Sequence, residues 1–237
     1  MIDLYAMGSP NVVKIYLALE EMDLPYTVKP LDVFGGAQFS AEFLKLNPNA
    51  KVPVIVDHEG PGGKPYALFE SGAILLYLAH KSGKFLPEDP AKRFHAIQWM
   101  MVQMTGVGPM FGQFVHYMRF APKGNDYSFD RYRTQVKRVL EVIEQRLGAA
   151  EWLGGDSYGI ADMATWPWLR NVGPLMGEAE AKAHPRIGAW VAKIDARPAA
   201  QRTLAKVAEV RTKTTQFDKA AADTMDRVFG RGAYKAA

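Results

Sequence analysis

The sequence predicts two domains of different class: an α/β domain of order βαβαββα, then an all-α domain. Three observations carry this. Short β-branched or aromatic runs, each bounded by Gly, Pro, Asn or Ser, occur up to Glu70 and nearly vanish beyond it. Between those runs lie segments with apolar residues at helical spacing. A polar stretch bearing Pro and Gly, around residues 82–90, separates this part from a succession of helical patterns. The expected boundaries are 1–82, a linker at 83–90, a helical domain at 91–210 and a more polar extension at 211–237.

In order, residues 2–7 read as a strand, broken by Gly8-Ser9-Pro10-Asn11. Residues 12–22 read as a helix, with Val12, Ile15, Tyr16 and Leu19 on one stripe. Ser9 stands where an N-cap belongs and Pro10 at the first helical position. The first turn of such a helix offers unpaired N–H groups and a positive dipole end, a place for an anion such as a thiolate. Plain capping is the simpler use of Ser9. Residues 24–31 form a second strand, and the strand–helix–strand crossover implies a parallel pair. A loop with Gly35-Gly36 follows, then a short helix capped by Ser40, with Glu42 in its first turn, ending near Asn47-Pro48. Residues 50–57 are a strand entered through Pro53, which suits a residue unable to donate to a ladder. Residues 61–63 turn the chain, residues 66–70 return as a strand, and Glu70-Ser71-Gly72 opens a helix over 73–81 with Ser71 as its cap. This is the thioredoxin-like layout.

Residues 91–117, 127–147, 160–171, 185–195 and 198–210 read as helices. Pro109 is expected to kink the first of them. Met104, Val107, Met110, Phe111 and Phe114 around it fit either a core or the wall of a ligand cavity. The extension carries Phe217, Met225, Val228, Phe229 and Tyr234, which fits either a docked amphipathic segment or a frayed end.

With 48% hydrophobic and 23% charged residues over 237 positions, the composition is that of an ordinary globular protein. No apolar run is long enough to span a bilayer and no signal segment is apparent, so a cytoplasmic protein without membrane contact is expected. The net charge of +4 is spread without a run of five basic residues, which argues against a nucleic-acid partner. There is no cysteine, so any thiol chemistry must use a sulfur that arrives on a ligand. The five histidines stand apart, and no metal is expected. No P-loop, no dinucleotide glycine fingerprint and no nucleophile elbow is present.

Ser9-Pro10-Asn11 between strand and helix, then Lys51-Val52-Pro53, then Glu70-Ser71, then a helical domain with Asp162 in Gly159-Ile160-Ala161-Asp162, resembles the glutathione transferase superfamily over about residues 1–210. Gly35-Gly36, Gln38-Phe39, residues 69–78, residues 106–113 and Trp152-Leu153-Gly154-Gly155 are similar to its nu class, which includes bacterial glutathione-dependent disulfide-bond reductases. That class is also similar to a fungal prion-forming nitrogen regulator. Two positions depart from the pattern: Ser9 replaces the usual threonine, keeping the hydroxyl, and Gly159 replaces the usual Ser or Thr cap before Asp162. A glycine cap costs only about a few tenths of a kcal/mol, so a milder helix start is expected there.

The resemblance implies glutathione, reduced or oxidised, as the cofactor, no metal, and a homodimer. It implies a cis Val52–Pro53 bond, with the Val52 backbone pairing with the cysteinyl part of the ligand. Glu70 and Ser71 would hold the γ-glutamyl end, and Lys51 and Gln38 the glycyl side. Ser9 and Asn11 would hold the sulfur, and Arg131 would reach a glutathione carboxylate from its own or the partner subunit. Lowering a thiol pKa of about 8.5 by about two units needs roughly 2.7 kcal/mol in favour of the anion. A dipole end gives about 0.3–1 kcal/mol and each hydrogen bond to a charged partner about 1.5–3 kcal/mol, which together suffice. The implied activity is disulfide-bond reduction of a small-molecule disulfide. The alternatives are conjugation or cleavage of an electrophile such as an aryl ether, or a non-catalytic regulatory role.

Overall fold

Ile2, Leu4 and Ala6 alternate with Asp3 and Tyr5, and in the computed structural model the first three are buried. That period of two makes Ile2–Ala6 a strand, β1. Pro10 fixes the first helical residue of α1, Pro10–Glu21. β2 (Tyr26–Pro30), α2 (Ala41–Leu46), β3 (Val54–Asp57), β4 (Tyr66–Phe69) and α3 (Ser71–Ser82) follow, giving the expected βαβαββα order. The strands lie in the order β2-β1-β3-β4, with β1 parallel to β2, antiparallel to β3, and β3 antiparallel to β4. Ser40 caps α2 by accepting the Phe43 N–H at 3.3 Å. Ser71 is not a cap: it is the first residue of α3, and Glu70 precedes it in the left-handed region at φ 69°. α1 is buried along its whole middle, Val12 to Leu19, and not only on the predicted stripe.

The structure describes residues 1–231, and the chain divides into two units. One comprises residues 1–78 with the C-terminal segment from Gln201, the other residues 79–200. The second unit holds α4 (Pro90–Val102), α5 (Gly108–Arg119), α6 (Asp126–Ala149), α7 (Ile160–Leu169), α8 (Val172–Met176), α9 (Glu178–Ala183) and α10 (Pro185–Asp195). The short helices α8 and α9 were not foreseen. α11 (Pro198–Thr212) passes from the second unit into the first, where α12 (Ala222–Phe229) also lies.

The chain is helical without a break over residues 90–119, as expected. A single π-helical turn, Gln103–Val107, joins α4 to α5, and the Gly108 N–H reaches back five residues to the Gln103 carbonyl. Pro109 then sits in the first turn of α5, where its missing N–H costs nothing. Val107, Phe111 and Phe114 are fully buried, Phe111 against Trp168 and Phe114 against Phe129, so these three are core of the second unit. Met104 and Met110 are half-buried.

At the start of α7 the Asp162 carboxylate is buried and accepts three N–H groups: Leu153 at 2.9 Å, Trp190 indole at 2.9 Å and Gly159 at 3.0 Å. Burial raises its pKa to about 6 against the pull of those donors. Gly159 has a close-packing reason: a Cβ there would meet the Phe85 carbonyl oxygen at 2.8 Å, the same carbonyl that accepts the Ile160 N–H.

The C-terminal segment is docked, not frayed, over its described part; Tyr234 lies outside the described residues. Glu20 at the end of α1 receives Arg202 and Lys206 of α11 at 2.5 and 3.3 Å. Arg211 donates to the Gly8 carbonyl at 3.2 Å. Asp32 accepts the Thr215 N–H and hydroxyl at 2.9 and 2.7 Å. The Arg227 guanidinium lies 3.9 Å from the Phe39 ring centroid, and Phe229 faces Phe34.

Asp162→Asn should destabilise the chain by about 2–3 kcal/mol, because an amide NH2 then faces an N–H donor with no acceptor between them. The wild type should also lose stability as pH rises through about 6, since the folded state holds the Asp162 proton above its unfolded range. Chemical denaturation at several pH values checks both, and the Asn variant should lack that part of the slope.

Candidate functional site

Strand register decides which loops meet. Tyr5 lies opposite Val54, and Val54 opposite Phe69. The end of β1, the start of β3 and the end of β4 therefore share one end of the sheet. Ala6 lies beside Pro30, so the end of β2 joins them. The chain just beyond these points carries Ser9 and Asn11, Val52 and Pro53, Glu70 and Ser71, and the loop with Gln38. The N-termini of α1 and α3 open there too, bringing two positive dipole ends to one place.

Ser9 occupies the cap position of α1, with φ −97° and ψ 151°, but its side chain makes no capping hydrogen bond. Its carbonyl takes both the Val12 and Val13 N–H groups at 3.0 Å. The predicted capping role thus falls to the backbone, and the hydroxyl is not spent on the helix. Asn11, half-buried, is the second residue of α1.

The Val52–Pro53 bond is cis. Asn47 braces the approach to it, donating to the Lys51 carbonyl at 2.7 Å while its own Oδ1 accepts the Asn49 N–H at 2.9 Å. Pro53 is buried and Lys51 exposed. Leu31, Phe43 and Val54 form an apolar cluster, with Tyr5, Val52 and Phe69 packed against it. That cluster fixes the Val52 backbone to β1, β4 and the loop after β2.

Gln38 follows Gly36, whose φ of 86° turns the chain into a short 3-10 segment, Ala37–Phe39. The Gln38 side chain is 1% exposed, and its Oε1 finds no hydrogen-bond partner among the described residues. A buried acceptor without a partner costs about 1–3 kcal/mol, and a ligand N–H would relieve that cost. Glu70 is exposed, and Ser71 is buried beside Lys14. Sequence reasoning missed Lys14. Its signal was a single charge inside the apolar run from Val12 to Leu19.

Arg131 belongs to the second unit, exposed on α6. That unit also has a cavity of about 640 Å³ whose lining includes Lys92, His95, Arg146 and Tyr158 and none of the ligand-holding residues implied by the resemblance. Among the described residues, no helix is long and apolar enough to cross a membrane, and no group of three or more His, Asp or Glu is placed to hold a metal ion.

Residues 8–81 match the family model for the glutathione S-transferase N-terminal domain, and residues 99–198 that for the C-terminal domain. The disulfide-bond oxidoreductase YfcG of Escherichia coli (strain K12) is 43% identical over 87% of this chain and 95% of its own length. A glutathione transferase family member from Pseudomonas fluorescens pf-5, solved with two glutathione bound, is 45% identical. It covers 86% of this chain and 92% of its own, with a TM-score of 0.82. A glutathione transferase from Pseudomonas putida, solved with one glutathione disulfide per subunit, is 40% identical over 86% of this chain and 90% of its own, also at 0.82.

Because the buried Gln38 carbonyl has no partner among the described residues, Gln38→Met should raise stability by about 1 kcal/mol in denaturant titration. A loss of that size would show that the amide is satisfied in the free protein.

Proposed function

The chain belongs to the glutathione transferase family, and from that premise we propose that it is a glutathione-dependent disulfide-bond reductase with no cysteine of its own. The observation that carries this reading is the Ser9 hydroxyl, left out of the helix cap at the N-terminus of α1 in a chain without a thiol. Two glutathione thiols reduce one disulfide to two thiols and leave as glutathione disulfide, so glutathione supplies all the sulfur the protein lacks.

The chain's residues then have distinct tasks. Ser9 and Asn11 donate hydrogen bonds to the sulfur, and the α1 dipole favours its anionic form. The Val52 backbone pairs with the cysteinyl unit in the manner of an added strand. Ser71, at the start of α3, donates to the γ-glutamyl carboxylate, and Glu70 accepts from its ammonium. Gln38 and Lys51 take the glycyl side. Arg131 contributes a guanidinium for a carboxylate. Names and ligands of the relatives support this assignment: YfcG is called a disulfide-bond oxidoreductase, and the two neighbouring structures hold glutathione or its disulfide.

The test is a coupled assay with glutathione, 2-hydroxyethyl disulfide, glutathione reductase and NADPH, beside 1-chloro-2,4-dinitrobenzene for conjugation. Fast disulfide turnover with weak conjugation is expected, and the reverse would move the assignment to a transferase. Asn11→Ala should lower kcat about a hundredfold while KM for glutathione shifts less than about threefold. Equal losses in kcat and affinity would remove Asn11 from the sulfur.

The same reading includes a homodimer. Phe94, 70% exposed, and Met101, 38% exposed, stand two turns apart on one face of α4, an apolar surface suited to a subunit contact. Light scattering should give twice the chain mass, and Phe94→Glu should shift it toward the monomer.

A further inference from the structure

The pairing of β1 with β2 ends where the Leu31 N–H meets the Ala6 carbonyl at 2.8 Å. Past that rung the two chains leave the sheet as separate loops. One runs through Gly8 to Ser9 and Asn11, the residues assigned to the sulfur. The other runs over residues 32–39 and carries Gln38, assigned to the glycyl side. A short stretch at the end of α11, residues 211–215, touches both. Arg211 donates to the Gly8 carbonyl at 3.2 Å, and Asp32 accepts the Thr215 N–H and hydroxyl at 2.9 and 2.7 Å.

Each contact is built into its loop. A Cβ at Gly8 would stand 2.5 Å from Arg211 Nε and 2.7 Å from its Cγ, so glycine is what lets the arginine reach that carbonyl. Asp32 shapes the other loop. Its Oδ1 accepts the Gly35 N–H at 3.1 Å, and its carbonyl accepts the Gly35 and Ala37 N–H groups at 3.2 and 3.0 Å. The Thr215 bonds therefore end on the residue that folds the turn leading to Gln38. The C-terminal segment holds this loop again further on. The Arg227 guanidinium lies 3.9 Å from the ring centroid of Phe39, next to Gln38, and Thr224 Cγ2 is 3.7 Å from where a Cβ on Gly36 would be. The turn at Gly8 is the fixed end, because α1 directly after it is buried from Val12 to Leu19.

We propose that residues 211–215 are a brace that sets the spacing of these two loops, with Arg211 and Thr215 as positioning residues for the glycyl part of the ligand. This rests on the glutathione assignment above and deepens it to specificity for the whole tripeptide. The sulfur and the glycyl nitrogen of glutathione are joined by a short covalent path, so the ligand cannot adapt to loops held at the wrong distance. A hydrogen bond stretched by about 1 Å is no longer one. A loop already held in place also loses less freedom when the ligand arrives. γ-Glutamylcysteine lacks the glycyl unit and gains nothing from the spacing. The brace therefore favours glutathione over that dipeptide.

The probes are S-methylglutathione and S-methyl-γ-glutamylcysteine, whose thioethers keep thiol oxidation out of the titration. Calorimetry on the full chain should show the wild type binding the tripeptide at least about tenfold more tightly than the dipeptide. Arg211→Ala should weaken the tripeptide about tenfold and change the dipeptide less than about twofold. Gly8→Ala, which drives the Arg211 side chain off the turn, should give the same loss by a second route. Thr215→Val keeps the N–H bond to Asp32 and loses the hydroxyl, so about a threefold loss is expected, restored in Thr215→Ser. Arg211→Ala with Thr215→Val should bind no more weakly than Arg211→Ala alone, since the brace is already cut at its first link. In the coupled assay Arg211→Ala should raise KM for glutathione about tenfold and keep kcat within about threefold. Equal weakening of both ligands, additive losses, or no loss overturns the brace and leaves the glutathione assignment standing. A wild type that binds both ligands equally does the same. Should Arg211→Ala fail to fold, the two Thr215 variants decide. No binding of S-methylglutathione to the wild type would overturn the glutathione assignment and this inference with it.

Discussion

β1 lies between β2 and β3, parallel to one and antiparallel to the other, and this pairing determines where four chain segments end. A slip of one residue would turn every side chain of β1 to the opposite face. Burial of Ile2, Leu4 and Ala6 on one face and of Val54 and Ile55 on β3 forbids that slip. The same register holds Ser9, Val52, Glu70 and the Gln38 loop at one end of the sheet. The placing of the candidate site is therefore a consequence of core packing by buried aliphatic residues.

Stabilising a thiolate without a protein thiol calls for several modest contributions in one place. One helix dipole falls short of the roughly 2.7 kcal/mol that a two-unit shift demands. In the proposed site the Ser9 hydroxyl and the Asn11 amide would add what is missing at that helix end. Ser9 can contribute because its backbone carbonyl takes over capping by accepting two N–H groups. Threonine would offer the same hydroxyl, so its replacement by serine leaves the hydrogen bond and removes only a methyl.

Much of this was legible before the fold was known. The βαβαββα order followed from periodicity and turn residues, and Ser40 from its place before a helical run. The misses have physical causes. The helix through Pro109 was legible, but the π-helical turn just ahead of it, in which the Gly108 N–H reaches the Gln103 carbonyl, had no signal in the sequence. Gly159 caps α7 as expected, but its reason for being glycine, the nearby Phe85 carbonyl 74 positions away, was not legible. The docking of the C-terminal segment rests on pairs such as Asp32 with Thr215, whose separation of 183 positions no local pattern encodes. Ser71 read as a cap because serine favours caps. A left-handed glutamate in front of it is a tertiary outcome.

Three departures from ordinary protein chemistry gather at the same end of the sheet. Gln38 buries an acceptor without a partner among the described residues, Glu70 adopts a strained backbone, and Lys14 buries a cation. Each is unfavourable alone. An N–H donor would satisfy Gln38, and a cation would suit Glu70. The proposed γ-glutamyl peptide carries both, an amide N–H and an ammonium, so these two positions fit the ligand proposed for them.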